Sequence, residues 1–275
     1  MVLSSLSLPA LALPALLLGA LAMAALWGLS LRRADASVVD LWWGPGFFAG
    51  AALIWAQAGA PTDARALLTL ALLGLWAGRL LWLMLRRRRR HPGEDPRYTA
   101  LRAAWNPGFW WKSLFVVFLL QALLQWIANF AALAAVSAAS WAEGGAVALG
   151  ALGTFGAVVA IAGLALESVA DAQLDAHKAA HGSGTVCATG LRAHVRYPNY
   201  LGEMVFWWGV WLIAAEAGAL WTIVSPLLLT LLLTRVSGAP MLEERLSAGR
   251  PGYAEWRART PAFLPRLRRP AGADI

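Results

Sequence analysis

Residues 190–203 carry the densest group of side chains that could bind a charged ligand. The stretch reads Gly-Leu-Arg-Ala-His-Val-Arg-Tyr-Pro-Asn-Tyr-Leu-Gly-Glu. Pro198 suits the first turn of a helix, because its missing N–H would have no helical partner there. A helix N-terminus flanked by arginines attracts anions, which predicts a site for a phosphate-bearing ligand. The candidate binding side chains of this stretch are Arg192, Arg196, Asn199, Tyr200 and Glu203.

Two carboxylates lie upstream of that stretch. Glu167 and Asp171 are four residues apart and therefore share one face of a helix. A carboxylate at the mouth of a membrane span is costly unless it is paired or solvated, which makes both residues functional candidates. They could accept hydrogen bonds from ribose hydroxyls or from a carboxamide. A solvated helix end, with the carboxylates paired to nearby arginines, explains them equally well.

Tyr98 closes a turn-rich stretch, His-Pro-Gly-Glu-Asp-Pro-Arg-Tyr, that begins at His91. Its hydroxyl could donate a proton or a hydrogen bond to an oxyanion that develops during a reaction. The simpler interpretation is an interfacial tyrosine that anchors the loop. Both interpretations stay open on spacing alone.

The C-terminal tail adds charged and aromatic groups after Arg235. Its apolar residues Leu242, Leu246, Tyr253 and Trp256 indicate amphipathic helical pieces. Such a tail could close a ligand pocket, and Arg235 and Tyr253 are its candidate binding residues.

Metal chemistry is not predicted. The single cysteine, Cys187, excludes an intramolecular disulfide and a cysteine-based zinc site. The chain has four histidines, and they lack the repeated motifs of membrane di-iron enzymes. Solvated loop positions account for them.

Composition places this chemistry in a membrane protein. The chain of 275 residues is 59% hydrophobic and 14% charged, a balance that a water-soluble domain of this length cannot cover with polar surface. Sixteen tryptophans agree with this, since indole rings favour membrane interfaces. The net charge of +8 is accompanied by no nucleic-acid recognition motif, so nucleic-acid binding is not expected.

Seven apolar runs approach the length of about 20 residues that a spanning helix needs. We therefore predict an all-α, polytopic membrane bundle of seven transmembrane helices that forms one domain over residues 1–275. The runs are 5–31, 38–57, 66–85, 111–136, 146–170, 201–217 and 219–236.

The distribution of Lys and Arg predicts the orientation. With the N-terminus outside, seven spans place nearly all 23 basic residues on the cytoplasmic side, where the C-terminus also lies. Arg65 alone falls in an outside loop, and Arg79 falls within a span. The predicted cytoplasmic segments are 86–111, 171–200 and 237–275, so the predicted site faces the cytoplasm.

Taken together, these motifs resemble the bacterial DUF1295 proteins, which are similar to the C-terminal domain of steroid 5-alpha-reductases. The resemblance covers most of the chain in consistent order. It is carried by residues 39–47, 95–102, 167–173, 190–203 and 252–265.

The resemblance implies a seven-helix reductase of the bacterial inner membrane that transfers hydride from NADPH to an activated C=C bond of a lipid. The substrate would be a steroid-like, isoprenoid or fatty enone. Tyr98 falls roughly where the steroid enzymes place a catalytic tyrosine, and Asp40 is the candidate for their early catalytic carboxylate. The residues implied near the cofactor are Glu167, Asp171, Arg192, Arg196, Asn199, Tyr200, Glu203, Arg235 and Tyr253.

One departure from the family's pattern affects this expectation. The usual Arg-His-Pro-Asn-Tyr is Arg-Tyr-Pro-Asn-Tyr here, with Tyr197 in place of the histidine. Any role that needs an imidazole at this position is lost or has moved, for which His194 is a candidate.

Two alternatives remain. The isoprenylcysteine carboxyl methyltransferases, which use S-adenosylmethionine, share an Arg-His-Pro-x-Tyr-x-Gly motif and a following pair of glutamates; residues 196–202 and Glu243-Glu244 fit these in part.

A transporter would place polar groups near the midplane of the membrane. Gln121, Gln125 and Arg79 are the intramembrane candidates, although the two glutamines could simply bond neighbouring helices.

Overall fold

The computed structural model describes residues 8–142 and 148–265, which form helices and no strand. The prediction of an all-α fold is confirmed. The α-helices are α1 (Leu8–Arg33), α2 (Asp40–Gln57), α3 (Ala64–Arg90), α4 (Pro96–Trp105), α5 (Phe109–Ser113), α6 (Leu120–Ala128), α7 (Phe130–Val136), α8 (Ala138–Trp141), α9 (Ala151–His181), α10 (Pro198–Glu216), α11 (Val224–Leu231), α12 (Ala239–Gly249) and α13 (Tyr253–Arg259). Short 3-10 turns (Ala36–Val39, Gly190–Ala193, Leu220–Ile223) and π-helical segments (Leu114–Leu119, Leu232–Val236) connect or extend them.

Within the described residues, six helical stretches are long and apolar enough to cross a membrane, which indicates an integral membrane protein. They are Ala12–Arg33, Ala36–Gln57, Ala64–Arg90, Phe109–Ala128, Ala151–His181 and Leu220–Glu243. Helix α10 is not among the six, although its 19 residues extend about 28 Å at 1.5 Å per residue. The count of seven and the orientation stay predictions.

The described chain packs as two compact units. The first unit contains residues up to Ala157 together with Val210–Ser225, and the second contains Val158–Gly209 together with the residues from Pro226 onward. The expectation of one domain over residues 1–275 stays a prediction.

Helices α2 and α3 form the main packing contact of the first unit. A Cβ on Gly44 would lie 3.1 Å from the Ala77 carbonyl oxygen, so the missing side chain lets the two backbones approach. Phe47 packs edge-to-face on Trp76 with ring centroids 5.3 Å apart. The close α2–α3 contact therefore begins at Gly44, about one helical turn after Asp40, the first residue of α2.

A buried ion pair also belongs to the first unit. The fully buried Arg65 guanidinium donates to the Glu216 carboxylate at 3.0 Å and to the carbonyl oxygens of Ala148 and Ile213. Glu216 in turn accepts the Gly150 N–H at 2.9 Å, just before α9 begins. Three chain segments that are distant in sequence are thereby tied together.

In the second unit, α9 and α10 meet at two glycines. A Cβ on Gly163 would lie 2.4 Å from the Phe206 nitrogen, and a Cβ on Gly202 would lie 2.6 Å from the Glu167 nitrogen. Only glycine permits this backbone contact. It brings Glu167 of α9 against the first turns of α10, which carry the predicted binding residues Asn199, Tyr200 and Glu203.

Candidate functional site

Tyr98 and Asp40, the two predicted catalytic residues, are in direct contact in the first unit. The Tyr98 hydroxyl donates to Asp40 Oδ1 at 2.7 Å. Tyr98 is 8% exposed and packs in an apolar cluster that includes Val39, Phe109 and Phe118. Asp40 is the first residue of α2, and its side chain is 25% exposed. A protonated phenol thus faces a carboxylate that water can reach.

Arg97 holds the other oxygen of Asp40. Its Nη2 donates to Asp40 Oδ2 at 2.8 Å, and its Nε donates to Asp95 Oδ1 at 3.0 Å. Asp95 also caps the N-terminus of α4 by accepting the Arg97 N–H, and it pairs with Arg87 of α3 at 2.7 Å. The hydrogen bonds to Arg97 and the charges of Arg97 and Arg87 overcome the effect of burial and lower the pKa of Asp95, which stays ionised. The carboxylates therefore fix the guanidinium beside Tyr98.

The pKa of Tyr98 is raised from its ordinary value. Burial is the main cause, followed by the negative charge of Asp40 and the hydrogen bond that Asp40 accepts from the neutral phenol. Arg97 and the nearby amide of Gln121 act in the opposite direction. The hydroxyl is therefore protonated at neutral pH and available as a donor. We call Asp40, Arg97, Tyr98 and Gln121 the Tyr98 cluster.

A backbone hydrogen bond also ties the 91–105 segment to the turn that precedes α2. Glu94 accepts from Arg102 Nη2 at 2.7 Å and from the Ala36 N–H at 2.8 Å. Burial alone would raise the pKa of Glu94, but these bonds lower it below its ordinary value, so the pairing persists at neutral pH. Asp35 pairs with Arg88 of α3. The segment that carries Tyr98 is thus held beside the start of α2 by Glu94, which bonds both Arg102 and Ala36.

Arg192 is the distinctive residue of the second unit. Its guanidinium is buried, with 7% of the residue exposed, and it makes no ion pair with a carboxylate among the described residues. Nη1 donates to the Arg196 carbonyl at 2.6 Å and Nη2 to Asn199 Oδ1 at 3.4 Å, while the buried Nε–H has no partner. Burial lowers the pKa of Arg192, with Asp171 offsetting part of the shift, yet an arginine stays charged at neutral pH. A buried charge with an unused donor suits an anion.

Arg196 differs from Arg192 because its donors are used within the chain. Nε and Nη2 bond to Glu243 of α12, and Nη1 donates to the carbonyl oxygens of Arg257 and Thr260. The Arg196 backbone N–H also donates to the Pro261 carbonyl at 2.8 Å. Arg196 therefore fastens the C-terminal segment to the start of α10.

Tyr197, at the position where the resembling family has a histidine, is buried and faces another predicted residue. Its hydroxyl lies 3.0 Å from that of Tyr253, and its ring stacks on Tyr200 with centroids 5.7 Å apart. Burial, together with the hydrogen bond to Tyr253, raises the pKa of Tyr197. The position of the imidazole is thus filled by a tyrosine whose hydroxyl joins the residue before α10 to the first residue of α13.

The remaining predicted residues of the second unit are placed less uniformly. Glu167 is buried next to Gly202. Glu203, the residue after Gly202 in α10, is half-buried. Gln173, two residues after Asp171, accepts the Leu191 N–H at 2.9 Å and so ties α9 to the turn that carries Arg192. Arg235 is exposed, and its side chain has no hydrogen bond or ion pair in the described part of the chain.

Arg97 and Gln121 of the Tyr98 cluster, and Asp95 beside it, were not among the predicted site residues. Asp95-Pro96 is a recognisable helix start, with an N-cap carboxylate before a proline at N1, and it could have predicted Asp95 as a fixed anion beside Arg97. No local signal pairs Gln121 with Tyr98, because the contact joins separate elements. His, Cys, Asp and Glu side chains form no group of three able to hold a metal within the described residues.

Comparison with known families gives one match. The profile of a family described as a protein of unknown function (DUF1295) matches residues 26–260, which include the Tyr98 cluster and the residues around Arg192. Searches of characterised proteins and of solved structures returned no match.

Proposed function

The chain belongs to the DUF1295 family, and from that premise we propose that it is a membrane oxidoreductase using NADPH to reduce an activated C=C bond of a lipophilic enone. The observation that carries the proposal is the hydrogen bond between Tyr98 and Asp40, 58 residues apart in sequence. The substrate class is steroid-like, isoprenoid or fatty enones. The proposed setting is a bacterial inner membrane with the site toward the cytoplasm, consistent with the arginine excess.

Reduction of an enone places negative charge on the carbonyl oxygen and consumes one proton from water. A protonated Tyr98 can donate a hydrogen bond to that oxygen. Full proton release would leave a phenolate beside the Asp40 carboxylate, which is unfavourable. A proton taken up by the partly exposed Asp40 removes this repulsion, so that Tyr98 passes its proton to the substrate oxygen and recovers one from Asp40. Arg97 keeps Asp40 oriented through the cycle.

The second unit contains residues that fit a dinucleotide. The unused Nε–H of Arg192 in a buried position is the donor that a phosphate oxygen would satisfy. Asn199, Tyr200 and the carboxylates Asp171 and Glu203 would provide hydrogen bonds to ribose or carboxamide groups. When bound, the reduced nicotinamide supplies hydride to the electron-poor carbon. Arg196 and Tyr253 would contribute indirectly, because they hold the C-terminal segment against the start of α10.

Purified protein in lipid nanodiscs is expected to oxidise NADPH when a long-chain or steroid enone is added. Tyr98→Phe should lower kcat by about 10²–10⁴, the usual contribution of a positioned acid, with NADPH affinity unchanged. Nicotinamide absorbance gives the rate and fluorescence titration gives the affinity. Failure of every enone tested to support NADPH oxidation, or full activity of Tyr98→Phe, would contradict the proposal.

Arg192→Met is expected to weaken NADPH binding by about tenfold to a hundredfold, since one charged hydrogen bond contributes roughly 1.5–3 kcal/mol. The matched control is Arg259→Met, which removes the same charge from an exposed position of the second unit. Fluorescence titration of both variants decides the point. Equal affinities in the two variants would remove Arg192 from the binding site.

An S-adenosylmethionine-dependent methyltransferase is kept as the second candidate because one observation favours it. Arg196 contacts Glu243, so two parts of the methyltransferase-like pattern meet although they lie 47 residues apart. Thermal stabilisation separates the two candidates, since a ligand stabilises only a protein that binds it in the folded state. We expect NADPH, and not S-adenosylmethionine, to raise the unfolding temperature.

A further inference from the structure

Gln125 of α6 is a buried amide that contacts the first turn of α2. Its Nε2 donates to the Trp43 carbonyl at 2.6 Å and to the Trp42 carbonyl at 3.3 Å. A Cβ on Gly46 would lie 2.4 Å from Gln125 Oε1, so the glycine makes the room that the amide occupies. Gln125 therefore reaches the backbone two and three residues after Asp40.

The first turn of α2 is a weak point that needs such support. Pro45 lies inside α2 and has no N–H to donate to the Leu41 carbonyl. The turn that begins with Asp40 is consequently held by fewer helical hydrogen bonds than a turn in mid-helix. The Gln125 amide donates to the two carbonyl oxygens that follow Leu41, and it thereby ties this turn to α6.

Gln121 lies one turn before Gln125 and therefore on the same face of α6. Its amide is near enough to the hydroxyl of Tyr98 to lower the pKa of that phenol. The π-helical segment Leu114–Leu119 immediately precedes this face, and π-helical turns are frequent at functional sites. One face of α6 thus lies beside the phenol and contacts the helix turn that carries its carboxylate partner.

We propose that Gln121 and Gln125 are positioning residues that hold Tyr98 and Asp40 together for proton transfer, an inference that rests on the proposed reduction. Gln125 holds the first turn of α2 through its two hydrogen bonds, and Gln121 lies beside the phenol from the same helix face. Neither amide is required to touch the substrate. Their role is to keep the 2.7 Å hydrogen bond formed while Asp40 changes its protonation state.

Asn129 provides a matched control. It is also buried, it follows Gln125 by four residues, and its Nδ2 donates to the Phe47 carbonyl of α2 at 3.0 Å. The bond joins the C-terminal cap of α6 to α2 but lies about two turns away from Asp40. Loss of either bond weakens helix packing, whereas only loss of the Gln125 bond should disturb Tyr98.

The experiment uses the full chain in nanodiscs with carbon-13 at tyrosine Cζ. The chain has four tyrosines, and Tyr98→Phe assigns the Tyr98 signal. Asp40→Asn gives the reference shift for a lost carboxylate partner. Gln125→Met is expected to move the Tyr98 signal in the same direction, by roughly half of that reference or more, because the hydrogen bond to Asp40 determines the electronic environment of the phenol. Gln121→Met is expected to move the signal as well, because its amide lies beside the phenol. Asn129→Leu should leave the signal in place.

Kinetics give a second measurement. Gln125→Met should lower kcat about tenfold or more with KM unchanged, since small displacements of a positioned acid are costly, and Asn129→Leu should not. An unmoved Tyr98 signal in Gln125→Met or Gln121→Met, or equal shifts in Gln125→Met and Asn129→Leu, would overturn the inference. If Gln125→Met does not fold, Gln125→Asn keeps the amide but shortens its reach and takes its place. An inactive wild type would contradict the proposed reduction alone, because the signals would still test the positioning.

Discussion

Arg65→Leu is expected to lower the free energy of unfolding by about 3–5 kcal/mol, because it leaves the Glu216 carboxylate without its cation in a buried setting. The Glu216 side chain is 15% exposed, and the Arg65 side chain is fully buried. The same substitution removes the donors to the carbonyl oxygens of Ala148 and Ile213. Three segments of the first unit would lose their common contact.

Thermal unfolding in detergent measures this loss. Arg89→Leu is the control, since Arg89 is an exposed arginine of α3. The double variant Arg65→Leu/Glu216→Leu should recover part of the stability because no buried charge is left. Recovery should be incomplete, since Glu216 also accepts the N–H of Gly150 near the start of α9. Arg65→Leu that unfolds at the same temperature as Arg89→Leu would show that the ion pair contributes nothing.

This ion pair also explains the exception in the charge pattern. Arg65 was the one basic residue that the predicted orientation placed in an outside loop, where a solvated arginine would count against the seven-span topology. The structure shows that it is buried and paired rather than solvated. Its partner lies 151 residues away, so no local pattern could have identified it.

The sequence predicts the helices better than their ends. Residues 38–57 were predicted as a span, and α2 with its preceding turn covers nearly the same range. The apolar run 66–85 is extended in α3 through Arg90, since arginine is a good helix former and Arg87 and Arg88 find carboxylates to pair with. The run 111–136 was predicted as one span, but it contains a π-helical segment and a break at Asn129, whose amide bonds to α2.

The site was predictable to the extent that single residues carry recognisable chemistry. Tyr98 and Asp40 were both named from the resemblance, but their direct contact, and Arg97 between two carboxylates, depend on tertiary packing. Arg192 and Arg196 were indistinguishable in sequence, since both precede the same helix. The structure separates them by what surrounds each: Arg196 uses its donors on the C-terminal segment, and Arg192 keeps one unused.

Gly202→Ala is expected to destabilise the second unit by about 1–3 kcal/mol and to weaken NADPH binding more than tenfold. The new Cβ would lie 2.6 Å from the Glu167 nitrogen and 2.6 Å from the Gly163 carbonyl oxygen. Both atoms belong to the backbone of α9 and cannot move aside as a flexible side chain can. Helices α9 and α10 must therefore separate, which would displace Glu167 and Glu203 from each other.

Gly78→Ala separates this effect from a general one. A Cβ at Gly78 of α3 would meet nothing within 4 Å, so alanine there should be neutral or slightly stabilising, by up to about 1 kcal/mol, through its better helix propensity. Gly163→Ala, whose Cβ would lie 2.4 Å from the Phe206 nitrogen, should reproduce the loss seen for Gly202→Ala. Unfolding temperature and NADPH titration measure all three variants. If Gly202→Ala matched Gly78→Ala in both, the close approach of α9 and α10 would not be needed to assemble the binding residues.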